Sequence, residues 1–257
     1  MDNIELVNKP PDKKCENKNL TTNNRKSELG QFTIKRLLKD NKEIIKNPLD
    51  KHGIYYQHSD EEILKGHAVI IGPEDTPYHH GFYMFEFTFP SNYPFAPPVL
   101  KFLTNDGIAR MHPNLYRSGK VCVSILNTWA GEQWSGCQTI SSILLTLVSL
   151  LTKDPLIHEP GFSKSHRDCK PYNHIITYKN YSLGINHILR HAKNIDFPLY
   201  QQMKSYFVKN YQNIINNLDK EIKNSPKSAT TTIYGQNIKF NYENTKNNIK
   251  ELYDSFS

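Results

Sequence analysis

Cysteine is scarce in this sequence, and the spacing of its thiols excludes several classes of protein. The 257 residues include four cysteines, Cys15, Cys122, Cys137 and Cys169, and no two of them are spaced C-x-x-C. A tetrahedral zinc site or a redox dithiol therefore has little support, and we expect no metal. The first residues, MDNIELVNKPPDKKC, lack the apolar stretch of a signal peptide. We therefore expect reduced thiols and a location in the cytoplasm, the nucleus or both.

Long apolar runs are also missing. The longest, Ile143 to Leu151, is interrupted by Thr146 and Ser149 and is too short to span a bilayer, so we expect no membrane partner. The formal net charge of +7 favours acidic partners. However, the chain has no arginine-rich groove, zinc finger or aromatic and basic repeat, so we expect no nucleic acid either. We interpret the scattered lysines as solvated surface.

The start of the chain is polar. Residues 1–30 are rich in Lys, Asn and Thr and cannot bury enough apolar surface to offset the entropy of ordering, so we expect a flexible tail. A helical pattern begins at Phe32 and ends at Pro48. Its predicted apolar face comprises Ile34, Leu37, Leu38 and Ile45. The basic residues Lys35, Arg36 and Lys39 lie on other faces, where they form either a solvated surface or a binding surface.

The middle of the chain predicts a small sheet, a loop and a helix. Apolar or alternating runs at 67–71, 83–89 and 99–103 predict strands joined by turns rich in Gly and Pro. Residues 112–135 show no strong period and predict a long ordered loop, which is often functional. Apolar residues then recur at helical spacing from Ile140 to Leu151, with Thr139 as the predicted N-cap. This order indicates an α+β domain with a meander of three or four strands.

Beyond the core, residues 163–257 predict a helical C-terminal extension that packs on or beside it. A helical period runs from Met203 to Leu218, and a weaker one from Phe240 to Phe256. Between them, the polar segment Asn224 to Thr232 is interpreted as a break.

The segment from Met111 to Phe162 carries the most specific motifs. His112-Pro113-Asn114, then seven residues, then Cys122, closely resembles the active-site signature of ubiquitin-conjugating enzymes. Further segments resemble landmarks of that family in the same order: Gly72-Pro73, Thr76-Pro77-Tyr78, Phe89-Pro90, Tyr93-Pro94-Phe95, Pro97-Pro98 and Trp134-Ser135. The resemblance implies a catalytic core over residues 31–162 with an N-terminal helix, a four-stranded antiparallel meander and a central helix.

The resemblance also implies an activity, and the chemistry of Cys122 agrees with it. Members of this family accept ubiquitin, or a ubiquitin-like modifier, from an activating enzyme as a thioester and pass it to a lysine of a substrate protein, usually with a ligase. Acyl transfer between carriers needs a thiol whose thiolate is the nucleophile. The incoming acyl group is already activated, so no strong base is required beside the thiol. No cofactor is expected in this chain, because ATP is used by the activating enzyme.

Three further residues of the implied active site have alternative roles. His112 and Pro113 are expected to support the loop; a role of His112 as a base is the weaker interpretation. The amide of Asn114 either donates to the oxyanion that forms during lysine attack or only holds the loop.

Asp154, in Lys153-Asp154-Pro155-Leu156, resembles the acidic residue of the family that orients the acceptor lysine. Alternatively it caps a turn or pairs with Lys153. His158 lies close enough in sequence to help orient the lysine, but a lone histidine in a loop rarely has such a role. Cys137 and Cys169 are interpreted as structural.

The resemblance assigns partner surfaces as well. The helix from Phe32 would receive the activating enzyme through Lys35, Arg36 and Lys39, while Phe95 and Ser135 would contact a ligase. Gly136 and Cys137 stand where the family usually has Pro-Ala, which alters the loop that touches the ligase.

The insertion Ile125 to Gly131, with a second Trp, and the ending Glu159-Pro160-Gly161-Phe162 are similar to the large, extended Z-type members of the family. Two other classes of function remain as alternatives. A catalytically inert relative that only binds ubiquitin or partners would lack the cysteine, which this chain retains. A cysteine protease would need a histidine partner that the sequence does not suggest.

Overall fold

The computed structural model describes residues 30–256. Helix α1 (Gln31–Lys46) is followed by four strands, β1 (Ile54–His58), β2 (Lys65–Ile71), β3 (Phe82–Thr88) and β4 (Val99–Phe102), and then by helix α2 (Ile140–Leu150). This order confirms the predicted α+β class. The sequence pattern did not predict β1. Only Ile54 of that strand is fully buried, and the alternation of apolar and polar residues that marks a strand is absent.

The sheet is an antiparallel meander in which each strand pairs with the next along the chain. Its register aligns Ala68, Phe85 and Phe102 across three strands, so their side chains share one face. The turn between β2 and β3 requires a glycine. A Cβ atom at Gly72 would lie 1.7 Å from the carbonyl oxygen of Tyr78, so any larger residue would open the turn.

Helix α1 buries a different face from the one predicted. Leu38 and Ile45 are 59% and 74% exposed, so their assignment to the apolar face is wrong. The buried stripe consists of Thr33, Leu37, Asp40 and Ile44. Half of that stripe is polar, which is why apolar periodicity missed it. The helix stops at Lys46, before the residue whose helical conformation Pro48 disfavours.

Helix α2 begins where the sequence predicted. The Thr139 hydroxyl accepts a hydrogen bond from the Ser142 amide at 3.2 Å, and the Ser142 hydroxyl accepts one from the Thr139 amide at 2.9 Å. This reciprocal pair is a capping box, which satisfies two backbone donors at the start of the helix. The buried residues of α2 lie on one face: Ile140, Ile143, Leu144, Leu147 and Leu150.

The C-terminal extension contains more than helices. Helix α3 (Cys169–Lys179) runs through a π-helical segment (Asn180–His187) into α4 (Ile188–Asn194), and α5 (Tyr200–Asn224) and α6 (Tyr242–Asp254) follow. Strands β5 (Ser228–Thr231) and β6 (Gln236–Lys239) form an antiparallel ribbon between α5 and α6. The polar break predicted at 224–232 is therefore partly strand β5. Its inward residues are Ala229 and Thr231, too polar and too few to give a strand signal.

The extension packs directly against the sheet. Asn180 is buried, accepts a hydrogen bond from the Tyr83 hydroxyl at 2.7 Å and donates one to the carbonyl oxygen of His79 at 2.8 Å. A Cβ atom at Gly81 would lie 1.8 Å from the Asn180 side-chain oxygen, so glycine allows this approach. One continuous cluster of buried apolar residues accordingly reaches from Leu37 to Leu252. Within residues 30–256, no helix combines the length and apolarity needed to cross a bilayer.

Candidate active site

The loop between β4 and α2 brings Asn114 and Cys122 together. The Cys122 amide donates a hydrogen bond to the Asn114 carbonyl at 2.9 Å, and the Asn114 side-chain amide donates to the Cys122 carbonyl at 2.6 Å. Short bridges from Leu115 to His112 and to Val121 hold the intervening residues. Cys122 is only 2% exposed. The two residues are thus fixed to each other through both backbone and side chain.

His112 is buried and acts on the backbone of this loop. Its Nδ1 accepts a hydrogen bond from the Asn114 amide at 3.0 Å, so the neutral ring carries its proton on Nε2. Burial, with the tilted ring of His158 at a centroid distance of 5.0 Å, lowers the pKa of His112 well below its usual value. A neutral histidine whose Nδ1 lone pair is already used suits loop support better than proton transfer. Pro113, also buried, lies between His112 and Asn114.

The side chain of Asn114 has capacity left for a ligand. Its nitrogen faces the Cys122 carbonyl, which only accepts hydrogen bonds, and this fixes the orientation of the amide. The second N–H of that nitrogen takes no part in the hydrogen bond to Cys122. The side-chain oxygen is buried without a hydrogen-bond partner. Loop support and oxyanion binding are therefore compatible roles for the same amide.

Asp154 opens the 3-10 turn Pro155–His158 and is held by residues that follow the core. Its carboxylate lies 3.3 Å from the Lys164 ammonium and 3.5 Å from the side-chain nitrogen of Asn173. The ion pair joins Asp154 to Lys164 rather than to Lys153, the partner considered in the sequence. The side chain of Asp154 is partly exposed. His158 is half-buried, and burial lowers its pKa.

The residues predicted to bind partners divide into two groups. Lys35, Lys39 and Ser135 are exposed. Arg36 is mostly engaged within the chain, because it donates to the carbonyl oxygens of Gly136 (2.6 Å) and Gln138 and pairs with buried Asp40 at 2.8 Å. The charge of Arg36 thus ties α1 to the loop that precedes α2, and its role in binding the activating enzyme stays a prediction.

Phe95 is 74% exposed and stacks on Phe32 of α1, with ring centroids 5.4 Å apart. The turn that carries Phe95 is fixed from behind by Trp134, whose indole N–H donates to the Pro94 carbonyl at 2.7 Å. This places two exposed aromatic rings beside the loop that contains Ser135.

The other cysteines have different environments. Cys137 is exposed, whereas Cys169 is buried and its thiol contacts the Ser163 carbonyl at 3.2 Å. Burial, with Asp154 nearby, raises the pKa of Cys169. Cys15 lies outside the described residues. Across residues 30–256, no three side chains of His, Cys, Asp or Glu come close enough to form a metal-binding group.

Several residues that hold the candidate active-site loop, residues 112–122, carry no signal in the sequence. Arg110 donates to the carbonyl oxygens of His112 (3.2 Å) and Pro113. Three residues of the extension, Tyr172, Tyr234 and Gln236, contact Arg110. These contacts join residues between 62 and 126 positions apart, and no local period or spacing signals them.

The family model described as "Ubiquitin-conjugating enzyme" matches residues 36–174, more than half of the chain. The chain, with a buried cysteine paired to an asparagine beside an antiparallel meander, belongs to the ubiquitin-conjugating enzyme family.

Within the family, the similarity is to the Z type. Ubiquitin-conjugating enzyme E2 Z of Danio rerio is 38% identical over 184 residues, which cover 70% of this chain and 56% of the relative. The Homo sapiens protein of the same name is 37% identical over 179 residues, covering 68% of this chain and 50% of the relative. The chain thus spans about half the length of these curated relatives.

Two further matches cover mainly the core. The dual E2 ubiquitin-conjugating enzyme/E3 ubiquitin-protein ligase BIRC6 of Homo sapiens is 44% identical over 127 residues, 46% of this chain and 3% of that protein. The solved structure of human ubiquitin-conjugating enzyme E2 G1 is 34% identical, covers 45% of this chain and 90% of that chain, and has a TM-score of 0.39. With that TM-score, the fold assignment depends on the family match and the strand topology instead.

Proposed function

We propose that this chain is an acyltransferase that carries ubiquitin, or a ubiquitin-like modifier, as a thioester on Cys122 and transfers it to a substrate lysine. The observation that carries the proposal is the reciprocal hydrogen bonding between Asn114 and Cys122. It fixes a candidate nucleophile and a candidate oxyanion donor on one loop, as acyl transfer requires. Because Cys122 is nearly buried, the approach of an acyl donor requires local opening.

In the first step, the Cys122 thiolate attacks the thioester carbonyl carbon of the charged activating enzyme. A carbon–sulfur bond forms to Cys122, and the bond to the activating enzyme breaks as its thiolate leaves. One thioester replaces another, so no strong base is needed. The role of His112 as a neutral support of the loop is consistent with this chemistry.

In the second step, a lysine amine attacks the Cys122 thioester. Negative charge collects on the former carbonyl oxygen, where the second N–H of Asn114 stabilises it. The Cys122 thiolate leaves, the amide bond remains, and the ammonium proton passes to Asp154 or water. The partly exposed Asp154 carboxylate is suited to hold the incoming amine in place.

The decisive test is incubation with activating enzyme, ATP and a panel of ubiquitin and ubiquitin-like modifiers. A reducing-agent-sensitive adduct should form, disappear in Cys122→Ala, and become a more stable ester in Cys122→Ser. If no modifier gives an adduct, the enzyme proposal fails and a binding role without chemistry takes its place.

The role of Asn114 is tested by separating charging from discharge. Asn114→Ala should leave adduct formation largely intact and slow discharge to free lysine by about a hundredfold, the typical effect of removing one oxyanion donor. Discharge at the wild-type rate would leave Asn114 with loop support alone.

The role of Asp154 is tested by Asp154→Asn, which keeps the size of the side chain and removes its charge. Discharge should slow near neutral pH and recover as the pH rises, because more of the free lysine is then deprotonated without help. A slowing that is independent of pH would exclude a role in proton removal.

We further propose that α1 binds the activating enzyme through exposed Lys35 and Lys39. The double variant Lys35→Glu/Lys39→Glu should slow charging of Cys122, with Lys193→Glu, an exposed lysine of α4, as the matched control. Equal charging rates in both variants would contradict this assignment. We also propose that exposed Phe95 and Ser135 contact the ligase.

A further inference from the structure

The backbone around His112 is held by one arginine. The Arg110 guanidinium donates to the carbonyl oxygen of His112 at 3.2 Å and to that of Pro113. Its planar face lies 3.4 Å from the ring centroid of Tyr116, in the same loop. These two contacts restrain the peptide that leads into Asn114, so Arg110 helps to hold the backbone from which the Asn114 side chain projects.

Arg110 is in turn held by three groups from the C-terminal extension. The Tyr172 hydroxyl of α3 donates to its carbonyl oxygen at 2.7 Å. The Gln236 side-chain oxygen of β6 accepts from its backbone amide at 2.6 Å. The ring centroid of Tyr234 lies 4.9 Å from its guanidinium carbon, so the cation is placed between two tyrosines.

The turn that carries Tyr234 is itself fixed. Tyr234 has a φ of +61°, a conformation that a bulky residue adopts only when its surroundings impose it. Its hydroxyl donates to the Glu159 carboxylate, and its carbonyl accepts from Arg117 at 2.8 Å. At the base of the turn, buried Asp168 accepts from the Thr232 hydroxyl (2.7 Å) and the Ile233 amide (2.9 Å). These hydrogen bonds hold the turn, and with it the ring of Tyr234, in one position.

We propose that the ribbon tip, residues 232–236, is a positioning element for the active-site loop, in which Tyr234 acts on Asn114 through Arg110. The expected effect on the rate of discharge rests on the proposed function. The expected effect on the rigidity of the loop does not. Catalytic groups need positions held to a fraction of an ångström, and small displacements are costly in rate. The extension therefore contributes to the chemistry of a loop more than a hundred residues earlier in the chain.

The first test measures hydrogen exchange and does not require activity. Tyr234→Ala should increase exchange in the peptide that contains Asn114 and Cys122, whose amides are hydrogen-bonded within the loop. The matched control is Tyr211→Ala, which removes a stacked tyrosine pair with Tyr253 between α5 and α6. Unchanged exchange in Tyr234→Ala, or an equal increase in both variants, would overturn the proposal.

The second test measures single-turnover discharge of the Cys122 thioester to free lysine. Tyr234→Ala should lower the maximal rate on the order of tenfold without changing the lysine concentration at half-maximal rate, because orientation rather than binding is altered. Tyr234→Phe, which keeps the ring against Arg110, should retain most of the rate. Tyr211→Ala should discharge like wild type.

A double variant tests the route through Arg110. Arg110→Lys keeps the charge but cannot bond two carbonyls in one plane. If Tyr234 acts through Arg110, Arg110→Lys/Tyr234→Ala discharges no more slowly than the slower single variant. Multiplicative losses would show that the two residues act separately. If wild type forms no adduct, the proposed function fails, and the exchange experiment alone decides the inference.

Discussion

The active-site loop and the partner-facing surface are built in opposite ways. In the loop, His112, Asn114 and Cys122 are buried and hydrogen-bonded to one another. The proposed partner-facing surface, formed by Phe32, Lys35, Lys39 and Phe95, leaves its rings and ammonium groups exposed. Under the proposed function, the geometry of the chemistry is fixed inside the protein, whereas recognition uses side chains that a partner can cover. Beneath that surface, Arg36 and Asp40 connect α1 to the loop that precedes α2.

The largest expected effect comes from breaking that connection. Asp40 is buried and accepts hydrogen bonds from Arg36 and from the Tyr93 hydroxyl at 2.5 Å. Asp40→Ala leaves the Tyr93 hydroxyl and the Nε of Arg36 without an acceptor and should lower the free energy of unfolding by about 3 kcal/mol. The neighbouring Lys39→Ala, on the exposed face, should change it by less than about 0.5 kcal/mol. Urea unfolding of both variants checks this, and equal losses would mean that the buried and exposed faces of α1 are not distinct.

The next effect concerns the loop and depends on pH. The lowered pKa of His112 means that the folded protein resists protonation of this ring, while the unfolded chain takes up a proton near pH 6.5. Stability present at pH 7.5 should therefore fall as the pH drops below about 6.5, by up to about 1.4 kcal/mol per pH unit for this group. His80, whose pKa burial lowers to about 4, adds a loss of the same sign.

Urea unfolding at pH 7.5 and 5.5 measures this slope. His112→Asn, which keeps an acceptor for the Asn114 amide, should reduce it. The substitution His187→Asn, at an exposed position in the extension, serves as the control. A slope unchanged by His112→Asn would mean that the loop histidine is protonated as readily in the folded state as in the unfolded chain.

A smaller effect lies beneath the partner-facing surface. Trp134→Phe removes the indole N–H that holds the Pro94 carbonyl and should cost about 1 kcal/mol, the usual value of one hydrogen bond. Because the same turn carries Phe95, ligase-dependent discharge should fall while charging of Cys122 stays normal. Loss of charging in this variant would show that the turn and the active-site loop are not independent.

The smallest effect on stability is expected at Phe95 itself. Phe95→Ala removes an exposed stack with Phe32 and should lower the unfolding free energy by less than about 1 kcal/mol. Ligase-stimulated discharge should nevertheless fall more than it does in Trp134→Phe. If stability drops as much as in Asp40→Ala, the Phe95 ring is part of the core and is not available to a partner.

Much of this molecule could be predicted because its signals are local. The cap at Thr139 and the apolar stripe of α2 depend on residues within a few positions, and both were found. Strand β1 and the ribbon strand β5 were missed, since neither shows clear apolar alternation. The buried face of α1 was assigned wrongly because Asp40 is stabilised inside by Tyr93, a residue 53 positions away.

The sequence by itself determined the family, the α+β class and the identity of the candidate nucleophile, because a motif spanning His112 to Cys122 needs no knowledge of distant contacts. Only the tertiary structure decided that Arg36 is tied to the loop before α2, that Asp154 pairs with Lys164, and that Tyr234 reaches Arg110. Polar side chains carry no periodic signal. Their partners are chosen by where folding brings the chain together, over separations that no local pattern records.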